Sequence, residues 1–248
     1  ASVNVEPYDD ELGEIYTVGI FTVGTLNVEE IHTDPKKVID AVYLASKGIV
    51  KDNKFLVTLG GEHSISQGAI KAYKEKYKRL SVLQLDAHLD LMEQFGGTRY
   101  SHASVSRRVV EDLRCKVTSF GVRVASKEEH NFLKNNKSKV SVFYARDIYD
   151  NDSWHEEAID TLEDHVYITL DVDGFDPSIM PATGTPVPGG LGWYRVIDFL
   201  RKVYKEKKVV GMDVVELKPN SGNEAPNFLS ANLVYKNIGF YKKYTLLS

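Results

Sequence analysis

The 248-residue sequence is short of cysteine, has no long apolar run and carries no excess of basic charge. Its single cysteine, Cys115, has no partner for an internal disulfide, so nothing favours an oxidising compartment. No apolar stretch approaches the roughly 20 residues that a membrane-spanning helix needs. The formal net charge of -4 argues against a nucleic-acid surface, which usually needs a basic stripe. We therefore expect a cytoplasmic protein whose partners include neither a membrane nor a nucleic acid.

What the sequence does contain is an alternation of short apolar runs and longer amphipathic ones. The apolar runs are rich in Val, Ile, Leu and Phe and predict buried strands at 55–59, 81–85, 116–122, 140–144, 166–170 and 209–212. The amphipathic runs predict helices at 34–48, 104–113, 127–135, 192–207 and 225–242, and a capping box at Ser153 and Glu156 predicts one more. This alternation predicts an α/β fold with three α/β/α layers and a mostly parallel sheet, in one domain over residues 1–248. A closed barrel of the same units is the alternative.

Residue types that ligate metals follow three of the predicted strands. In two of these segments the polar residues alternate, so they share one side of an extended chain. A single Asp at a strand end is usually a turn former or a helix cap, and the lone histidines His32, His130, His155 and His165 are interpreted as surface or satisfied structural residues. Four Asp and two His buried together would instead be costly unless a metal held them. The sequence therefore predicts a metal site formed by His63, Asp86, His88, Asp90, Asp171 and Asp173.

The composition of this ligand set indicates which metal it holds. Its ligands are mostly oxygen and include no thiolate, which suits manganese or a similar divalent ion better than a tetrahedral zinc site. Six side chains, some of them bridging, suit two ions about 3.5–4 Å apart, a pair that supplies hydroxide at neutral pH. The Pro- and Gly-rich stretch 177–192 follows a predicted strand. It is expected to form a long loop at that strand's carboxyl end, where open α/β sheets bind ligands.

Six sequence blocks, in order, resemble the arginase/agmatinase (ureohydrolase) family, and microbial agmatinases most. They are Gly-Gly-Glu-His-Ser at 60–64, Asp-Ala-His-Leu-Asp at 86–90, Ser-His-Ala-Ser at 101–104, Asp-Val-Asp-Gly-Phe-Asp-Pro at 171–177, Pro-Ala-Thr-Gly-Thr-Pro at 181–186 and Asp-Val-Val-Glu at 213–216. The resemblance implies an arginase-like fold, a small guanidino substrate and a homotrimer or homohexamer. It also implies an additional N-terminal strand segment that these residues lack.

The resemblance further implies a role for each matched position. Two Mn(2+) ions are implied, one held by His63, Asp86, Asp90 and Asp171 and the other by Asp86, His88, Asp171 and Asp173. His102 matches a proton-shuttling histidine, and Glu216 matches a glutamate that pairs with the substrate guanidinium. Asp90 can pass a proton from the attacking hydroxide to the leaving amine.

The loop 91–100 bears on the choice of substrate. It lacks the Asn-, Thr- and Ser-rich pattern with which arginases bind the amino-acid head of arginine, and the stretch 100–108 is similar to microbial agmatinases. We therefore predict hydrolysis of agmatine to putrescine and urea. The alternatives are guanidinobutyrate or arginine as substrate, or a catalytically silent ligand-binding homologue, which the intact ligand set disfavours.

Other hydrolase classes lack their own signatures in this sequence. A two-metal phosphoesterase would need Gly-Asp-x-x-Asp and Gly-Asn-His blocks. A serine hydrolase would need its nucleophile in a Gly-x-Ser-x-Gly elbow, and neither Ser64 nor Ser66 lies in one. A phosphate-binding loop would need Gly-Lys-Ser or Gly-Lys-Thr after its glycines. A zinc deacetylase of related fold would need fewer ligands.

Overall fold

The structure is a computed structural model, and it describes residues 8–15 and 18–246. A short antiparallel pair, β1 (Tyr8–Asp9) and β2 (Glu14–Ile15), comes first in the chain. The main sheet is wholly parallel and consists of β3 (Leu56–Leu59), β4 (Leu80–Leu85), β5 (Lys116–Val122), β6 (Val140–Tyr144), β7 (His165–Asp171) and β8 (Lys208–Val215). Its strand order is β3-β8-β7-β4-β5-β6, so it is an open sheet with β3 and β6 at its edges. The alternative prediction of a closed barrel is therefore wrong.

Eight α-helices connect or follow these strands in the described part of the chain. They are α1 (Pro35–Lys51), α2 (Ser66–Lys76), α3 (Val105–Glu111), α4 (Lys127–Asn135), α5 (Ala145–Ile148), α6 (Trp154–Asp160), α7 (Trp193–Glu206) and α8 (Ala225–Tyr241). The start of α1 is as predicted, with Pro35 in the first turn and the Asp34 carboxylate accepting a hydrogen bond from the Lys37 amide. None of the described helices combines the length and apolarity that crossing a membrane requires.

The helices cover both faces of the sheet, and each face has its own apolar core. Residues of α5 to α8 contribute to one core, and residues of α1 to α4 contribute to the other. The alternation along β4 shows the division, since Leu83 and Leu85 lie in the first core while Leu80 and Val82 lie in the second. Covering both faces is what an all-parallel sheet requires. The predicted three-layer α/β/α fold is confirmed.

The capping box predicted at the start of α6 is wrong. Ser153 has helical backbone angles, and its hydroxyl donates to the Asn151 side chain (2.7 Å) instead of capping the helix with Glu156. A capping box does occur at α4, where the Ser126 hydroxyl accepts from the Glu129 amide and the Glu129 carboxylate accepts from the Ser126 amide. Both helices have the same sequence signal, a Ser followed three residues later by a Glu. The capping box forms only at α4, where the Ser has an extended backbone conformation.

Two further differences from the sequence predictions have a physical cause. Helix α2 was not predicted, because its buried residues include Ser66, Gln67 and Gly68 and so give no clear apolar period. Strand β8 continues past its predicted end at Met212. The prediction ended there because the next residue, Asp213, is polar, although it is fully buried within the strand. A polar residue in a buried strand interrupts the apolar run from which strands are predicted.

The packing of α2 against α1 depends on Gly68. A Cβ atom at this position would lie 2.5 Å from the Ile39 carbonyl oxygen and 2.9 Å from the Tyr43 amide nitrogen. The two helix backbones therefore approach each other more closely than any larger residue permits. Since α2 begins directly after His63–Ile65, this contact also fixes the segment that carries His63.

His155 differs from the expectation for lone histidines. It lies in α6, fully buried between Trp154 and Phe199, with ring centroids 4.6 and 5.1 Å from theirs. Neither of its ring nitrogens has a hydrogen-bond partner. His32 and His130 are exposed, as expected. For His155 the prediction of a surface or satisfied residue was wrong.

Candidate active site

The predicted metal ligands meet at the carboxyl edge of the sheet, where β4 and β7 lie side by side. Leu85 pairs with Leu170 in register, so Asp86 and Asp171 follow at the same height on neighbouring strands. The chain continues from β4 to β5 on one side, whereas β7 leads to β8 on the other. Such a switch point leaves a crevice at the carboxyl ends of the strands, where open α/β sheets bind ligands.

His63 lies in a 3-10 turn, His63–Ile65, close to three carboxylates. Its Nδ1 atom is 3.0 Å from an oxygen of Asp90, 3.2 Å from one of Asp86 and 3.4 Å from one of Asp171. All four side chains are buried, and Nδ1 has no hydrogen-bond partner of good geometry. The ligand atoms of His63, Asp86 and Asp90 lie within 4.8 Å of one another, a separation at which they could hold one metal ion.

A second group of possible ligands shares Asp86 with the first. His88 Nδ1 lies 3.4 Å from Asp86 Oδ1 and 3.0 Å from Asp173 Oδ2. The ligand atoms of these three residues also lie within 4.8 Å of one another. Two neighbouring groups with a common carboxylate are consistent with a binuclear metal centre, in which a carboxylate bridges the ions.

The charges in this cluster are far from those of isolated side chains. Burial and the nearby charge of Asp86 raise the pKa of Asp90 to about 7 and hold the pKa of Asp171 well above its ordinary range. Burial alone would raise the pKa of Asp86 too, but His63 and His88 hold it below the usual value. Ionising all of these buried carboxyl groups therefore costs free energy unless positive charge is added.

The histidines of the cluster show the complementary effect. Burial alone would lower the pKa of His88, yet Asp173 and Asp86 raise it to about 11. Contacts with Asp171, Asp86 and Asp90 likewise raise the pKa of His63 above its usual value against the effect of burial. Buried carboxylates that repel one another, around an unpaired imidazole nitrogen, fit a divalent cation of hard to borderline character.

A chain of hydrogen bonds behind His63 orients its ring. His63 Nε2 lies 2.9 Å from the Thr169 hydroxyl, which donates its one proton to Asp213 (2.6 Å). Tyr167 donates to the other oxygen of Asp213 (2.8 Å). Because the Thr169 proton is already used, the hydroxyl can only accept from His63 Nε2–H. The lone pair on Nδ1 then faces the carboxylates, as a metal ligand requires.

Glu216 lies at the rim of the cluster, directly after β8. Its carboxylate accepts a hydrogen bond from the His63 amide (2.7 Å), and its own amide donates to the Gly61 carbonyl (2.8 Å). Burial raises its pKa. Glu216 and the candidate ligand Asp90 both have left-handed backbone conformations, with φ of 64° and 54°. Such angles are unfavourable for residues other than glycine and cluster at functional sites.

His102 lies at the solvent side of the same rim, in the 3-10 turn His102–Ser104. Its side chain is half-exposed, and Nδ1 lies 3.6 Å from a carboxylate oxygen of Glu62. Glu62 raises the pKa of His102, against the smaller effect of burial. The structure thus brings all eight residues that the sequence singled out to one edge of the sheet.

Arg123 supports the site although the sequence analysis did not select it. It follows β5 directly, and its guanidinium donates to the backbone carbonyls of Gly121, Asp173, Gly174, Phe175 and Val187. It therefore ties the loop 177–192 to the segment that carries Asp173. Arg123 carries the same signal as the predicted ligands, because it is a polar residue directly after a buried strand. Thr169 could also have been found, since it lies two residues before Asp171 on the same face of β7.

Comparison with known proteins places this arrangement in a family. The profile of the Arginase family matches residues 1–239. The chain belongs to the arginase family. One relative in this family, N(1)-aminopropylagmatine ureohydrolase of Synechocystis sp., is 38% identical over 97% of this chain and 80% of its own length. The agmatinase of Pyrococcus horikoshii is 36% identical over 83% of this chain and 71% of its own.

A solved structure of the arginase family has the same fold. The crystal structure of agmatine ureohydrolase of Thermoplasma volcanium superposes with a TM-score of 0.85, at 33% identity, over 97% of this chain and 80% of that one. The predicted family is thus confirmed. The protein is a ureohydrolase, an arginase-family hydrolase that acts on linear amidines.

Proposed function

We propose that this ureohydrolase is of the agmatinase type and hydrolyses the guanidino group of agmatine to urea and putrescine with two manganese ions. The observation that carries the proposal is the pair of ligand groups that share Asp86, with the Glu216 carboxylate beside them at the rim. A guanidinium carbon is a poor electrophile, because its charge is spread over three nitrogens. It needs a strong nucleophile and a carboxylate that holds it in line, and this edge of the sheet offers both.

Six His and Asp side chains, five of them buried and His88 partly exposed, would hold the metals in this proposal. Asp86 and Asp171 would belong to both ligand sets, His63 and Asp90 would complete one set, and His88 and Asp173 would complete the other. When bound, the two ions supply a hydroxide nucleophile at neutral pH and stabilise negative charge as it develops. Thr169 and Asp213 keep the His63 ring in the orientation that ligation needs.

Glu216, Asp90 and His102 act on the substrate and its protons. The Glu216 carboxylate, fixed by the His63 amide, accepts hydrogen bonds from the guanidinium and aligns it for attack. Asp90 takes the proton of the attacking hydroxide and passes it to the leaving nitrogen as the C–N bond breaks. The half-exposed His102 connects the buried cluster with solvent, so it relays a proton to the leaving amine.

The rim favours substrates whose far end carries no carboxylate. Glu62 and Glu216 both lie there, and their charges would repel the carboxylate of arginine or guanidinobutyrate. A second candidate substrate is N(1)-aminopropylagmatine, because relatives with that activity in their names include the one that matches 97% of this chain. It differs from agmatine only in the chain beyond the guanidino group.

A side-by-side assay of urea release tests the proposal. The purified protein, loaded with manganese, is given agmatine, N(1)-aminopropylagmatine, arginine and guanidinobutyrate in parallel. We expect kcat/KM for at least one of the first two to exceed that for arginine about tenfold or more, because two rim carboxylates disfavour a substrate that carries a carboxylate of its own. Equal or reversed values would contradict the agmatinase assignment, and release of no urea from any of them would contradict catalysis itself.

A further inference from the structure

The rim of the candidate active site carries a second carboxylate, Glu62, for which the proposed reaction has no use. Its two chain neighbours are both tied to Glu216, Gly61 through its carbonyl and His63 through its amide. Glu62 and Glu216 are therefore held on the same stretch of the rim. One carboxylate is enough to pair with a guanidinium, so Glu62 is available for another cationic group.

The contacts of Glu62 leave part of its carboxylate free. It accepts hydrogen bonds from the amide (3.3 Å) and the hydroxyl of Ser64, and one oxygen lies 3.6 Å from His102 Nδ1. A carboxylate accepts about four hydrogen bonds. With 47% of the side chain exposed, Glu62 can still accept from a ligand in the mouth of the site.

An exposed aromatic ring lies against His102 as well. The Phe95 and His102 ring centroids are 5.2 Å apart, edge to face, and Phe95 is 48% exposed. Phe95 and Thr98 exchange two backbone hydrogen bonds (2.9 and 3.2 Å), and Gly96 and Gly97, with φ of 60° and 80°, form the turn between them. This tight turn presents the ring at a fixed place. An aromatic face attracts a cation and packs against methylene groups.

We propose that Glu62 and Phe95 form an outer subsite that binds the cationic amine at the far end of the substrate chain. The inference rests on the proposed function, since it concerns the same site and a substrate whose guanidino end is bound by Glu216. Glu62 accepts hydrogen bonds from the ammonium, and Phe95 packs against the chain and faces the charge. The subsite selects linear guanidino compounds with a distal amine over those that end in a methyl group or a carboxylate.

Two substrates of equal chain length test this subsite. Agmatine ends in an amine, and butylguanidine has the same four carbons without it. The measured quantity is the ratio of kcat/KM for agmatine to kcat/KM for butylguanidine. Effects on chemistry that both substrates share, including any transmitted through His102, cancel in this ratio.

We expect Glu62→Gln to lower the ratio about tenfold, the effect of losing one charge-assisted hydrogen bond. Glutamine still accepts the hydrogen bonds of Ser64, so the turn is retained. Phe95→Leu should lower the ratio about threefold, because an apolar contact remains while the aromatic face is lost. This second variant leaves the Glu62 contacts in place and keeps the test independent of them.

Glu163→Gln is the matched control. Glu163 lies before β7, at the opposite end of the sheet, and pairs with Arg79 (2.8 Å) and Lys116 (2.9 Å). Glu163→Gln removes one negative charge, as Glu62→Gln does, and the ratio of the two kcat/KM values should stay at the wild-type value. A ratio near one in the wild type, or an unchanged ratio in both Glu62→Gln and Phe95→Leu, would overturn the subsite and leave the proposed function standing. A wild-type protein that releases urea from neither compound would instead overturn agmatine as the substrate in the proposed function.

Discussion

At the scale of single residues, the sharpest conflict in the molecule is the group of carboxylates around His63. Asp86, Asp90 and Asp171 are buried within reach of one imidazole, and burial together with the charge of Asp86 holds the pKa values of Asp90 and Asp171 above the ordinary range. Selection for stability alone would remove such a cluster. Residues that destabilise the folded protein are expected at sites where a bound ligand offsets their cost.

His155 gives a pH dependence that is separate from the metal site. Burial lowers its pKa to about 4, with the nearby charge of Lys202 acting in the same direction and that of Asp198 against it. The unfolded chain, with an ordinary histidine pKa near 6.5, therefore binds a proton that the folded chain does not. Stability from this residue is fully present above about pH 6.5 and is lost as the pH falls toward 4.

We therefore expect the unfolding free energy to fall between pH 6.5 and 4, with His155 contributing at most about 1.4 kcal/mol per pH unit. Replacement of His155 by Phe should flatten this dependence, since the pocket between Trp154 and Phe199 is aromatic. Thermal unfolding at a series of pH values measures it. His32→Gln, at an exposed position, is the control, and an equal flattening in both variants would contradict the assignment.

At the scale of elements, the strands could be predicted and some helices could not. Buried parallel strands are continuous apolar runs, so five of the six were placed to within one residue at each end. Helix α2 was missed because its buried face consists largely of small and polar side chains. Its position depends on a close backbone approach at Gly68, which no local pattern reveals.

Gly68 offers a test of how α2 is held. Gly68→Ala places a methyl group against the α1 backbone at Ile39 and Tyr43, and we expect it to destabilise the protein by about 1–3 kcal/mol. Gly48→Ala is a matched control, because Gly48 lies in α1 with open space around it and should gain about 0.5–1 kcal/mol. Thermal unfolding of both variants measures the difference. Stabilisation by Gly68→Ala would show that the helices can separate without loss.

At the scale of the whole molecule, the three-layer fold and the family followed from strand and helix alternation and from the ordered sequence blocks. The pairing of Glu62 with His102, 40 positions apart, and the carbonyl contacts of Arg123 depend on how distant segments meet. Such contacts leave no periodic signal in the chain. The predictions of one domain over residues 1–248 and of a homotrimer or homohexamer stay predictions.

Metal binding should stabilise the entire fold, because the ligands come from segments that follow β3, β4 and β7. Manganese at 1,000 times its dissociation constant is expected to add about 4 kcal/mol to the unfolding free energy, and a chelator should remove it. Asp171→Asn should abolish this effect and urea release together. The metal-free variant should be more stable than the metal-free wild type, because the carboxylate disfavoured by burial and by the charge of Asp86 is gone.

Thermal unfolding with and without manganese, together with calorimetric titration of the metal, measures these changes. Thr118→Val, at a buried position within β5 and outside the ligand groups, serves as the control and should keep the stabilisation by manganese. Two bound ions and full activity in Asp171→Asn would refute the ligand assignment.

The left-handed backbone at Asp90 and Glu216 has a consequence for laboratory evolution of this protein. Glycine adopts such angles without strain, so replacing either residue by Gly relieves about 1 kcal/mol or more. A library screened only for heat resistance will therefore enrich for Gly at positions 90 and 216 and collect robust but inactive clones. Selection for thermostable catalysts has to score turnover in every round.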